Sequence, residues 1–319
     1  MKKLVSVPLT AALIFGMICI PGCGKELKVE SGGLTVNTPT SDSEINKTEE
    51  PSSEDPPVNK IPPPDYITNA KKLLGEEHGK VYIGMADLMD PNGYRYEDDP
   101  GTIHPASTIK AMVMEYAFLQ VKAGNASLDE IVDGTTLLTL INQMIQVSCN
   151  ESTGSIIARF GRAAIDEWLQ DNYKHTRLYS DWRGYNHENK YNQTSVEDTV
   201  DFLVKLYRNK DEEPYDRMLE IMFGTTYSRD KIPAATADIA SVKVANKTGS
   251  FVDGDDTADH DMAIVISYDS DNKIEFAYAL VFYSFSPYSE HTYSAARPAI
   301  IAMARDIYEQ VADFNAVNR

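Results

Sequence analysis

Three short segments of this 319-residue chain combine residue types able to transfer an acyl group. Ser107-Thr108-Ile109-Lys110 sets a lysine three residues after a serine. Ser148-Cys149-Asn150 sets two hydrogen-bonding side chains two residues apart. Lys247-Thr248-Gly249 puts a cation and a hydroxyl beside a glycine. A serine hydroxyl is a poor nucleophile at neutral pH and needs an adjacent base. Residues three apart share a helix face, so Lys110 is placed to serve Ser107. An ammonium cannot accept a proton, but burial and a second cation lower a lysine's pKa. A buried helix would supply the first, and Lys247 is the candidate for the second. Each segment also has a plain alternative use. Lys110 suits a surface helix start, Ser148 and Asn150 suit helix N-caps, and Lys247-Thr248-Gly249 suits a strand end.

The elements around these segments decide between the uses. Ser107 to Val121 is rich in helix formers and apolar nearly all round, as a buried helix is, and Gly124 ends it. The periodicity predicts a first helix over 67–74 and further helices over 135–146, 153–160, 163–172 and 196–208. Lys80 to Met89 reads as a strand, Asp90-Pro91-Asn92-Gly93 as a turn, and Tyr94-Arg95-Tyr96 as the start of a returning strand. Strands are expected over 241–246, 261–269 and 273–283, and a closing helix over 295–314. The fold class is α+β: an antiparallel sheet flanked by helices, plus an all-helical lobe.

S-x-x-K alone is weak, and the chain holds a second copy, Ser228-Arg229-Asp230-Lys231, and a literal S-D-N, Ser270-Asp271-Asn272. The first has no buried helix behind it, and the second falls in a hairpin turn whose chemistry explains it. Both are set aside. With S-x-x-K, S-x-N and K-T-G in order and in context, the chain resembles the penicillin-recognising serine enzymes, the class A β-lactamases and D,D-peptidases. The resemblance covers Tyr66 to Arg319. It implies Ser107 as nucleophile, Lys110 as its base, and Ser148 as proton donor to the leaving nitrogen. It implies Asn150 against the substrate's amide side chain, with Lys247 and Thr248 on its carboxylate. Gly249 would admit the substrate to the strand, and the N–H groups of Ser107 and Ser250 would form the oxyanion hole.

The resemblance breaks at one loop. Class A β-lactamases carry a glutamate between S-x-N and K-T-G that activates the deacylating water, in an E-x-x-L-N pattern. The matching stretch here, YSDWRGYNHENKYNQ, lacks that pattern, and Glu188 and Asp181 are its candidate bases. Cys149 stands where the β-lactamases usually have Asp. The expected function is a β-lactamase-type serine hydrolase. The alternatives are a D-Ala-D-Ala peptidase or peptidoglycan amide hydrolase, or a slow-deacylating penicillin-binding envelope protein. A pure binding module has no need of Lys110 beside Ser107.

The ends and composition set the location. Residues 1–23 form a basic start, an apolar run and Ile20-Pro21-Gly22-Cys23, which resembles a lipobox that would leave Cys23 lipid-modified. An uncleaved anchor helix is the alternative. Residues 24–65 are polar and proline-rich and read as a disordered tether, and 66–319 as the hydrolase domain. The protein is therefore expected outside the cytoplasmic membrane, lipid-anchored and monomeric. A formal charge of -18 and the lack of any basic cluster exclude nucleic acid as a partner. The 6 histidines show no metal-ligand spacing, so no metal or cofactor is expected. Cys149 is alone in the domain and has no histidine partner motif, which argues against a catalytic thiol.

Overall fold

The computed structural model describes residues 64–71, 80–98, 100–183, 190–227, 229–253, 256–287 and 292–318. The leader, most of the tether, Cys23 and Glu188 lie outside these residues. Asp65 opens the first helix, α1 (Tyr66–Lys71), by accepting from Thr68 N at 2.9 Å. Strand β1 (Lys80–Asp87) turns through Asp90–Gly93 into β2 (Arg95–Glu97). A 3₁₀ turn (Ala106–Ile109) then leads into α2 (Lys110–Lys122). The short ladder β3 (Ile131–Val132) and β4 (Thr135–Thr136) precedes a run of helices. These are α3 (Leu137–Gln146), α4 (Asn150–Phe160), α5 (Arg162–Asn172), α6 (Val196–Arg208), α7 (Tyr215–Phe223) and α8 (Ile232–Ala235). Three long strands follow, β5 (Val242–Asp253), β6 (Asp256–Tyr268) and β7 (Ile274–Pro287), and α9 (Thr292–Val317) closes the chain.

The early and late strands join in one antiparallel sheet of order β2-β1-β7-β6-β5, as the α+β reading expected. Alternation along β7 sorts the two faces. Phe276, Tyr278, Leu280 and Phe282 pack with Ile300, Met303 and Ile307 of α9. Ala277, Ala279, Val281 and Tyr283 face the helical lobe, where α2 is buried from Lys110 to Phe118. The small residues let α6 lie close. A Cβ added to Gly84 would stand 2.5 Å from Val196 Cγ1 and 2.6 Å from Val200 Cγ2.

The structure corrects several boundaries. The strand expected to stop at Asn246 runs through Lys247-Thr248-Gly249 to Asp253, because its register with β6 continues without a break. The strands read over 261–269 and 273–283 are likewise longer, reaching back to Asp256 and on to Pro287. Ser107 lies in the 3₁₀ turn rather than in the α-helix proper. Helix α4 begins at Asn150, not Thr153. Helices α7 and α8 were not read from the sequence. Among the described residues no helix is long and apolar enough to cross a membrane.

Candidate active site

The turn that carries Ser107, the candidate nucleophile, sits at the seam between sheet and helical lobe. Ala106 enters it in the left-handed region, at φ 50. In a 3₁₀ turn the side chains at i and i+3 eclipse, so Lys110 starts directly over Ser107. The sheet holds the turn in place. His260 Nε2 meets His104 O at 3.0 Å, while Ser284 N donates to His260 Nδ1 at 3.2 Å. That pair of bonds fixes a neutral ring with its proton on Nε2. Burial, then the nearby Lys231 charge, hold the His260 pKa well below its ordinary value. Thr108 Oγ1 donates to Pro105 O at 2.7 Å and lies 3.1 Å from Tyr283 OH. Across the seam, a Cβ on Gly249 would stand 2.9 Å from both Pro105 O and Ser107 N. Strand β5 therefore passes close to the nucleophile's backbone, and only glycine fits there.

Lys110 and Lys247 converge on Ser148. Both lysines are fully buried. Lys110 Nζ donates to Asn150 Oδ1 at 2.7 Å and to Ser148 O at 2.9 Å, and lies 3.5 Å from Ser148 Oγ. Lys247 Nζ donates to Ser148 Oγ at 2.9 Å and to Thr248 O at 2.8 Å. Lys247 thus shares Ser148 with Lys110, but burial rather than the Lys247 charge is what lowers the Lys110 pKa. Burial lowers the Lys110 pKa from 10.5 to about 7, against smaller upward pulls from Cys149 and Glu151. Burial and then the Lys110 charge hold Lys247 well below 10.5, with Asp261 pulling upward. A lysine with a pKa near 7 is an amine half of the time at neutral pH and can accept a proton.

Ser148 and Asn150 do not act as helix caps. The N-cap of α4 is Cys149, without a side-chain capping bond. Its Sγ instead lies 3.3 Å from Glu151 Oε2. Ser148 has φ 56, a left-handed conformation costing about 1 kcal/mol outside glycine. Such strain persists where the surroundings over-determine it. One expectation is amended. Among the described residues no hydrogen bond joins Lys110 to the Ser107 hydroxyl, because the long side chain reaches past its own turn to the start of α4.

A third buried lysine was missed. Lys231 belongs to the segment set aside as a chance S-x-x-K, yet it is fully buried beneath β5. Its Nζ donates to Thr248 Oγ1, to Ser250 Oγ at 3.3 Å and to His260 O at 3.0 Å, and it pairs with Asp259. Asp259 also accepts from Ser250 Oγ at 2.8 Å and from Arg297 Nε at 2.8 Å. Thr248 therefore stands between two lysine side chains, Lys231 on its hydroxyl and Lys247 on its carbonyl. The only sequence signal for this was a lysine sixteen residues before Lys247, with no pattern to mark it.

A cavity of about 240 Å³ opens on Ser107, between Asn150 and Ser250. His104, Phe251 and Tyr191 form an aromatic wall, with ring centroids 4.1 Å apart for His104–Phe251 and 5.2 Å for His104–Tyr191. Ser180, Trp182 and Asn192 come from the loop that lacks the expected glutamate pattern. The backbone pairing of Arg177 with Gln193 closes the neck of that loop. Asn192 Oδ1 accepts from Tyr179 N and Ser180 N at 2.7 and 2.8 Å. Asp181, one candidate base, does not line the cavity. Its Oδ1 accepts from Arg183 N at 2.8 Å, closing a turn in which Trp182, at φ 54, is swung inward instead. Glu188, the other candidate, lies outside the described residues. Among the described residues no cluster of His, Cys, Asp and Glu is arranged to hold a metal ion.

Fold and family together define a serine hydrolase of the β-lactamase type. A β-lactamase from Chitinophaga pinensis DSM 2588 superposes with TM-score 0.64 at 18% identity, over 78% of this chain and 100% of that one. The TLA-3 extended-spectrum β-lactamase gives 0.65 at 18%, over 77% and 98%. A mutant of PBP-A, solved as an acyl-enzyme complex with penicillin G, gives 0.63 at 20%, over 79% and 100%. Among curated proteins none matches the sequence. Residues 66–311 match the family described as the Beta-lactamase enzyme family, and the chain belongs to it.

Proposed function

We propose that the protein opens β-lactam amides through an acyl-enzyme on Ser107. The observation that carries this reading is the row formed by Lys110 Nζ, Ser148 Oγ and Lys247 Nζ, with both lysines fully buried, beside the turn that carries Ser107. The neutral Lys110 amine takes the Ser107 proton as Oγ attacks the lactam carbonyl carbon. The N–H groups of Ser107 and Ser250 receive the oxyanion. The carbon–nitrogen bond then breaks, and Ser148 hands a proton to the departing nitrogen, re-supplied from the lysine pair. Lys247 and Thr248 bind the substrate carboxylate, and Lys231 holds the Thr248 hydroxyl from beneath the strand. Asn150 keeps Oδ1 on Lys110, so its Nδ2 is the donor for the substrate's amide side chain.

The test is turnover of a chromogenic cephalosporin by the full chain, followed with intact mass and with Ser107→Ala as control. Turnover or an adduct that vanishes in the variant supports the reading. An adduct that survives Ser107→Ala sinks it. The second reading, a peptidase acting on peptidoglycan peptides, is favoured by the aromatic Trp182 near Lys110 in the loop where class A enzymes carry their glutamate. Release of D-alanine from a D-Ala-D-Ala peptide would support it. The monomeric protein would work outside the cytoplasmic membrane, held by lipid on Cys23. Cys23→Ala should move it from the membrane to the soluble fraction, and an unchanged distribution would refute the anchor.

A further inference from the structure

Trp182 is the residue that the 177–193 loop brings against the buried lysine. Its ring centroid lies 5.5 Å from Lys110 Nζ, and it lines the same cavity as Ser107. Two features show that the placement is built. Trp182 occupies the left-handed region, at φ 54, which a bulky residue rarely adopts without constraint. The turn that carries it is also clamped on both sides. Trp182 N donates to Ser180 Oγ at 3.2 Å, and the Arg183 guanidinium reaches Asp133 and Ser155. The Arg183 side chain crosses α4 at Gly154, where an added Cβ would meet Arg183 Cγ at 2.9 Å and Asp181 O at 3.3 Å.

The position matters for the second half of the reaction. Hydrolysis of the Ser107 ester needs a water whose oxygen attacks the acyl carbon while its proton passes to a base. The carbon–Oγ bond then breaks, and Ser107 Oγ regains a proton. An indole can take no part in that transfer, since its N–H only donates. What it can do is fill space beside Lys110, the amine assigned as base. We propose that Trp182 is a positioning residue that covers the Lys110 side of the acyl-ester, keeps water from that face, and makes the acyl-enzyme outlive its formation. This rests on the reading of Ser107 as the acyl carrier.

The experiment compares rates of acylation and of adduct loss in the full chain, using a penicillin and intact mass at pH 7. Wild type should accumulate the adduct. Trp182→Ala should raise adduct loss relative to acylation by about tenfold, and Trp182→Phe should not. Trp182→Glu places a proton acceptor there and should raise the ratio by about a hundredfold. Gly154→Ala keeps the indole but lifts its turn from α4, so it should move the ratio in the same direction as Trp182→Ala. It also guards against a Trp182 variant that fails to fold. A ratio unmoved by both Trp182→Ala and Gly154→Ala overturns the proposal, as does a wild type that turns over without accumulating adduct while Ser107→Ala is dead. In that last case the parent reading stands. A wild type that takes no adduct, or a Ser107→Ala that does, removes both.

Discussion

Gly249→Ala tests how the strand and the nucleophile turn cooperate. The new methyl would stand 2.9 Å from Ser107 N and from Pro105 O, and 3.0 Å from Ala106 Cβ. Ordinary contacts begin near 3.4 Å. Two of these three atoms are backbone, so no flexible side-chain end can yield. Strand and turn must part by about half an ångström, which is half of the misplacement that costs about 10² in rate. The parting moves Ser107 N relative to Ser250 N, the two donors assigned to the oxyanion. Loss of one such donor costs about 10²–10³. Acylation by a penicillin should therefore fall by about 10- to 100-fold. Overpacking at the seam should cost about 1–3 kcal/mol of stability. Adduct formation by intact mass gives the rate, and urea unfolding gives the stability. A variant that is destabilised but acylates within threefold of wild type would refute the coupling of strand approach to the oxyanion site.

Three further outcomes follow from the titrating groups. In its proposed role as base, Lys110, brought down to about 7 by burial, acts as the neutral amine. Acylation should rise about tenfold per pH unit below 7 and level off above it, while Lys110→Arg should abolish it; a flat profile in stopped-flow acylation would contradict this. Burial raises the Asp261 pKa to about 6, above an unfolded value near 3.9, so the folded state holds the proton more tightly. The cost of ionising it grows as pH climbs from about 4 to about 6 and reaches on the order of 3 kcal/mol. Wild type should then lose stability relative to Asp261→Asn over that window in urea titrations, and parallel curves would disprove it. Lys247 is held well below 10.5 by burial and by Lys110, and a carboxylate arriving beside it favours its protonated form. Binding of a β-lactam to Ser107→Ala should take up a proton, seen calorimetrically as a heat that varies with buffer ionisation enthalpy; no variation would count against carboxylate binding there.

The sequence made the chemistry legible where it was local. Ser107 and Lys110 are linked by one turn, and their helix advertises its burial by carrying apolar residues on every face. The sheet was legible because alternating residues mark both strand groups. What escaped depends on distance along the chain. Read from the sequence, strand β5 ends at Asn246, because lysine, threonine and glycine do not look like a buried strand. They are one because β6 pairs with them residue for residue, Lys247 with Met262 and Gly249 with His260. Lys231 escaped because nothing local announces that Thr248, Ser250 and Asp259 will surround it. The loop after α5 was read for carboxylates. Trp182 rather than Asp181 faces the cavity because a left-handed turn, invisible in composition, reverses which side chain points inward.

The three buried lysines explain each other's states. Lys231 has a carboxylate partner in Asp259, which Arg297 and Ser250 also hold. Its ion pair is therefore satisfied within the protein. Lys110 and Lys247 lean only on neutral oxygens among the described residues. A buried charge without a counter-ion is expensive and relaxes by losing its proton or by gaining an anion. Geometry separates the two routes. Lys110 rises from the nucleophile turn, where a free amine is useful. Lys247 lies beside Thr248, whose hydroxyl Lys231 holds from the far side. An anion bound there restores the Lys247 charge, and that charge in turn favours the neutral form of Lys110. In a chain of formal charge -18, the burial of these lysines at one seam ties the proposed carboxylate recognition to the proposed base activation in one electrostatic arrangement.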